Sequence, residues 1–218
     1  LTASRMDLDA WGAALMRAAH DGGLGQLPVG IDLSAEAASL AGGVLRGVRA
    51  AFDVAGGRME LRELRAVLPG DAAVRLEGAV APNAAGALRF DGKVQLRAPS
   101  LRSTLDWALA AWGGGALAAD TIPPGALRTA EIETAVTLED GAATLSGITG
   151  RVDGAALAAN LALRGGPRPM VRALLALDRL DLDAWLPAQW PGLSAIAGGA
   201  SAWTLDLQLE AKAARWRG

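Results

Sequence analysis

Apolar and polar residues alternate along most of this chain with the period of a β-strand. The pattern is cleanest at residues 88–97, LRFDGKVQLR. Leu88, Phe90, Val94 and Leu96 fall on one side, and Arg89, Asp91, Lys93, Gln95 and Arg97 on the other. The same period predicts strands at 43–55, 58–67, 72–80, 126–138, 142–152, 155–164, 170–180 and 201–211. Within them Val44, Val48, Phe52 and Val54 share a face, as do Val74, Leu76 and Val80. So do Ile132, Val136 and Leu138, and Leu157, Leu161 and Leu163. Met59 and Leu61 begin another face, with a slip expected near Leu64. Turn signals separate the runs: Ala55-Gly56-Gly57, Pro69-Gly70-Asp71, Glu139-Asp140-Gly141 and Asp153-Gly154.

Two segments leave this pattern for a helical one. At 101–112, Leu101, Leu105, Ala108, Leu109 and Trp112 form one stripe. Ser100 stands at the position of an N-cap, and Gly113-Gly114-Gly115 ends the run. A shorter helix is expected over DLDAWLPAQW, residues 181–190. Its surroundings repeat. RMDLDAW (5–11) and RLDLDAW (179–185) differ at one position, and SLRSTLDW (100–107) is a looser version.

The expected organisation is therefore a β repeat with a tryptophan helix in each unit. Residues 1–27 are a helix and loop closing a preceding unit. Residues 28–122 form one unit, 123–198 a second, and 199–218 start a further strand region. A chain that opens on Leu1 rather than Met is expected to be part of a longer protein.

Composition narrows the function. The 218 residues are 51% hydrophobic, enough for a sizeable apolar core. The net charge is −2 without a basic excess, which argues against a nucleic-acid partner. There is no cysteine and one histidine, His20, so thiolate metal sites and a multi-histidine site are excluded. His20 reads as the last turn of a helix, where the dipole favours it. Asp178, Asp181 and Asp183, like Asp7 and Asp9, read as caps and first-turn acids of helices rather than a cation site. The glycine runs lack phosphate-loop spacing, and no nucleophile elbow or pair of catalytic carboxylates is present. No enzyme, cofactor or metal is expected. Trp11, Trp107, Trp112, Trp185 and Trp190 recur near the helices, which favours packing on one end of the sheet over a membrane-facing or ligand-stacking role.

The alternating faces allow two architectures. One is an ordinary closed sandwich. The other is a long antiparallel sheet curved into a groove, its faces roughly 35 to 45 Å long at the usual strand rise. The inward positions are mostly Ala, Val and Leu, with Phe52 and Phe90 the only phenylalanines.

The block RPMVRALLALDRLDLDAWLP (168–187), with GITGRVDGAALAANLALRGGPRP upstream, resembles the AsmA family of bacterial envelope proteins. GDAAVRLEGAVAP and GALRFDGKVQLRAPSLRSTLDW resemble the family's other common block. The likeness spans most of residues 28–190. It implies a mainly β, curved, groove-like sheet of repeating units with short helices at one edge. It also implies a periplasmic segment tethered to the inner membrane by an anchor outside this chain. The implied role is phospholipid transport toward the outer membrane and support of its integrity, with phospholipid as ligand and envelope proteins as possible partners. On that reading the groove is lined by Val48, Phe52, Val54, Val74, Leu76, Val80, Leu88, Phe90, Val94, Leu96, Ile132, Val136, Leu138, Leu157 and Leu161. The alternative is a structural or docking module with a closed core and no lipid.

Overall fold

The computed structural model describes residues 2–12, 14, 28–111, 125–166, 170–185 and 204–216. Eleven strands form one curved sheet. β1 (Thr2–Asp7) lies at one edge. β2 (Val29–Leu40), β3 (Gly43–Ala55), β4 (Arg58–Leu68), β5 (Ala72–Pro82) and β6 (Leu88–Ala98) follow, side by side in chain order. β7 (Ala130–Glu139), β8 (Ala142–Val152), β9 (Ala155–Arg164) and β10 (Met170–Leu177) continue without a gap, and β12 (Thr204–Ala211) closes the far edge. β6 pairs directly with β7, so the sheet runs unbroken through the expected unit boundary at 122/123.

Hairpin chemistry explains the meander. The central turn residues Ala41-Gly42, Gly56-Gly57, Asp140-Gly141 and Asp153-Gly154 all have positive φ, the geometry of the tight turns that match strand twist. β2 to β10 are antiparallel throughout. The outermost pairs differ: β1 lies parallel to β2, and β12 parallel to β10. The sheet is therefore mixed, and its parallel joins fall where the nearly identical motifs sit. In RMDLDAW, β1 runs into helical residues 8–12 before the crossover to β2. In RLDLDAW, the two-residue strand β11 (Leu180–Asp181) leads into α2 (Leu182–Trp185) before the crossover to β12. β11 pairs with β13 (Ala214–Arg215). The looser copy, SLRSTLDW, plays a different part. It opens α1 (Leu101–Ala111), which links two antiparallel neighbours, β6 and β7, rather than making a parallel crossover.

Three bulges interrupt the strands. At Gly47 (φ 58°) in β3 an added residue shifts the pairing with β4, and at Gly147 (φ 60°) in β8 an added residue shifts the pairing with both β7 and β9. At Arg62-Glu63, β4 carries an extra residue against both neighbours, which is the slip expected near Leu64. Bulges bend a strand and raise its local twist. They also put the residues before and after them out of phase, so that the two stretches no longer share a face by period two. The expectation for Val44 is corrected on this ground: it stands 62% exposed on the opposite side, and its neighbour Leu45 is buried beside Val48.

The helices gather at one rim, as expected. α1 packs over the ends of β4, β5 and β6: Leu101 is buried with Ala72, Ala98 and Ala130. The Thr104 hydroxyl donates to the Pro69 carbonyl at 2.9 Å. The Ser100 hydroxyl, expected to cap backbone amides, instead meets the Ser103 hydroxyl at 2.9 Å. Trp107 lies over Gly43, whose missing side chain leaves the room, and its indole N–H points to the Leu40 carbonyl. Trp185 is half-buried, but Trp11 remains 47% exposed and does not pack as expected. The opposite rim carries only turns among the described residues.

Candidate functional site

The strand registers place all fifteen expected lining residues on one face. One row crosses ten strands: Ile31, Phe52, Leu61, Gly78, Gly92, Val136, Leu145, Leu161, Ala173 and Leu207 are successive cross-strand partners. A second row, nearer the bare rim, runs Val29, Val54, Met59, Val80, Phe90, Leu138, Ala143, Leu163. A third, nearer the helices, runs Ala66, Val74, Leu96, Ile132, Gly150, Leu157, Leu177. Leu76 and Val94 are partners between the first and third rows, and Leu88 extends the face at the end of β6. None of these positions carries an ionisable side chain.

Nothing among the described residues forms a second layer over this face: every strand of the sheet packs chiefly on its lateral neighbours. Burial follows. Val48, Phe52 and Val54 are buried, Leu138 is 46% exposed, and the other expected lining residues are half-buried. Among the described residues, the side chains exposed by 2% or less are all alanines, three of them (Ala72, Ala98, Ala126) around the helical rim. A closed sandwich of this size would bury large side chains completely.

Several residues of the face escape a period-two reading. Leu45 is buried because the Gly47 bulge resets the phase. Thr134, 3% exposed, sits among the apolar residues, and its hydroxyl donates to the Ser146 carbonyl at 3.1 Å, satisfying backbone beside the Gly147 bulge. Gly78 and Gly92 leave gaps in the longest row, and the Phe90 ring lies across both. Their spacing of fourteen residues across a predicted turn was a usable signal, since an aromatic ring commonly covers a facing glycine.

The opposite face is charged and internally paired. Arg97 meets Glu131 and Arg172 meets Asp206 directly across strands. Arg89 forms two bonds to Asp91 (2.7 and 2.8 Å), and Thr137 donates to Asp91 at 2.8 Å. These donors hold the Asp91 carboxyl below its ordinary value, and the Asp91 carboxylate raises Arg89 in turn. Glu131 raises Arg97 in the same way. Two depressions of the sheet draw most of their walls from this charged side. One, of about 810 Å³, has Arg65, Arg75, Gln95, Arg97, Glu131 and Glu133 in its walls, with Val74, Leu96 and Ile132 contributing at its floor.

The acidic motifs act on backbone. Asp7 Oδ1 accepts from the Ala10 amide and Asp181 Oδ1 from the Asp183 amide, as caps. Asp9 and Asp178 accept from the Ala41 and Ala156 amides. Among the described residues no group of three or more His, Asp or Glu could hold a metal ion. No helix among them is long and apolar enough to cross a membrane. His20, Trp112, Trp190 and the glycines at 113–115 lie outside the described residues.

No protein-family model matches the chain, and no curated protein or solved structure matches it significantly.

Proposed function

We propose that this chain binds phospholipid acyl chains along the apolar face of its sheet, as a periplasmic segment of an AsmA-like envelope protein tethered to the inner membrane elsewhere. One observation carries the reading: an unbroken apolar face, ten strands wide, with no second layer over it among the described residues. At about 4.8 Å per strand such a face extends for roughly 45 Å. Each methylene removed from water is worth about 0.8 kcal/mol, so a hydrocarbon chain is held there without polar contacts. The role is one of binding and passage rather than covalent chemistry, in lipid transport between the two membranes and maintenance of the outer one. The resemblance of residues 168–187 to the AsmA pattern supports the setting.

A second reading, a docking or spacer module without lipid, draws on the helical rim. There Ala72, Ala98, Ala130 and Leu101 pack as an ordinary dry core.

Native mass spectrometry of the chain purified from bacterial envelopes in gentle detergent separates the two. Co-purified phospholipid is expected, and its loss in Val94→Asp with unchanged circular dichroism supports the groove. A folded, lipid-free protein that also takes up no added phospholipid sinks it in favour of the module.

A further inference from the structure

The charged face holds an arrangement that the apolar face does not explain. Arg49 on β3, Arg65 on β4 and Arg75 on β5 are direct cross-strand partners, so three guanidinium groups stand side by side. Like charges placed directly opposite oppose strand pairing. Only partial compensation is built in. Glu63, brought to this side by the β4 bulge, places Oε1 2.6 Å from Arg65 Nε and 2.9 Å from Arg75 Nη2. Neither contact is aligned as a hydrogen bond, and Oε1 is shielded from solvent. Among the described residues no carboxylate pairs with Arg49. Elsewhere on the face, Arg97 has Glu131 and Arg172 has Asp206 directly opposite and ion-paired.

The row also borders space. Arg65 and Arg75 line the 810 Å³ depression together with Arg97, Glu131 and Glu133, and Arg97 is neutralised by its pair with Glu131, which leaves Arg65 and Arg75 as the cations available there. Gly47, Ala73 and Gly150 line it with little side-chain bulk. Arginine presents a planar fork of donors that matches phosphate oxygens in pairs, and remains charged at any physiological pH. We propose that this depression binds a phosphate-bearing anion, with Arg65 and Arg75 as its principal ligands and Arg49 strengthening the field. The site lies on the opposite side of the sheet from the apolar rows and stands whether or not those rows hold lipid.

The test is titration of the folded chain with inorganic pyrophosphate at low and moderate salt, followed calorimetrically. In parallel, flotation with phosphatidylcholine vesicles containing phosphatidylglycerol distinguishes a lipid headgroup from a soluble phosphate. Binding in either arm that weakens at least tenfold in Arg65→Gln/Arg75→Gln, and falls with salt, supports the site and names its source. Arg172→Gln, on the same face near the β12 edge, is expected to bind as the parent does. Binding in neither arm, or binding equally weakened by Arg172→Gln, overturns the proposal. Circular dichroism of each variant guards against unfolding, and the milder Arg49→Gln, expected to weaken binding severalfold, keeps the test open if the double variant fails to fold.

Discussion

At the scale of single residues, two glycines show how different demands produce the same amino acid. Gly47 has open space where a Cβ would stand, but its φ of 58° is one that side chains disfavour. Gly92 has no positive φ to explain it. A Cβ there would lie 2.3 Å from the Glu77 carbonyl oxygen and 2.6 Å from the Phe90 ring. Gly47→Ala is expected to cost about 1–2 kcal/mol, purely in backbone strain. Gly92→Ala is expected to cost about 1–3 kcal/mol through overpacking, and Phe90→Leu will not rescue it because the backbone contact remains. Urea denaturation of the three variants checks both; full rescue would show that the ring alone excludes a side chain at 92. This scale also shows where alternation misleads. Val44 obeys the period of its strand as written, yet one inserted residue at Gly47 turns it to the other side. A glycine inside a strand run hints at such a bulge, but Gly92 is also inside a run and makes none.

At the scale of elements, the antiparallel strands were largely legible. β3 and β9 have the bounds their alternation predicts, and β4 carries its slip near the expected residue. β1 and β2 were missed. β1 is a short edge strand merged with the helical motif that follows it, and five of the twelve residues of β2 are alanine or serine, which mutes its two-faced pattern. Parallel pairing was not legible either, because period-two alternation is the same for both strand directions. Polar pairs give the elements a pH dependence. Arg89 on β6 and Thr137 on β7 both donate to Asp91, and their bonds lower its folded pKa beneath the ordinary value of 3.8. A carboxyl depressed on folding adds stability above its unfolded pKa, and that stability is lost as pH falls through the folded value. The parent is therefore expected to exceed Asp91→Asn in stability at neutral pH, with the gap closing as pH drops below 3.8. A gap constant from pH 7 to 2, measured by thermal denaturation, would show that the charge of Asp91 is not what joins these strands.

At the scale of the whole molecule, the decisive feature was the one least legible in the chain. A sandwich core and an open groove demand the same alternation, and only the arrangement of distant strands decides which is built. Among the described residues, strands pack beside one another and not face to face, so the apolar rows are partly exposed there, and Leu207 and Leu209 near the far edge are 58% and 48% accessible. An apolar face in that condition has a thermodynamic consequence if it accepts lipid. A ligand that binds the folded chain and not the unfolded one stabilises it by mass action, about 2.7 kcal/mol at a hundredfold excess over its Kd. A short-chain phosphatidylcholine below its micelle concentration is therefore expected to raise the Tm by several degrees. Val94→Asp, which places a carboxylate opposite Leu76, should lose that shift whatever its own Tm, because the comparison is made within each variant. Leu174→Asp, on the reverse face, should retain it. Equal shifts in both variants would point to lipid acting away from the apolar rows. No shift in the parent would mean that the face does not take up such a lipid, leaving the docking module as the better account of the same ten-strand surface.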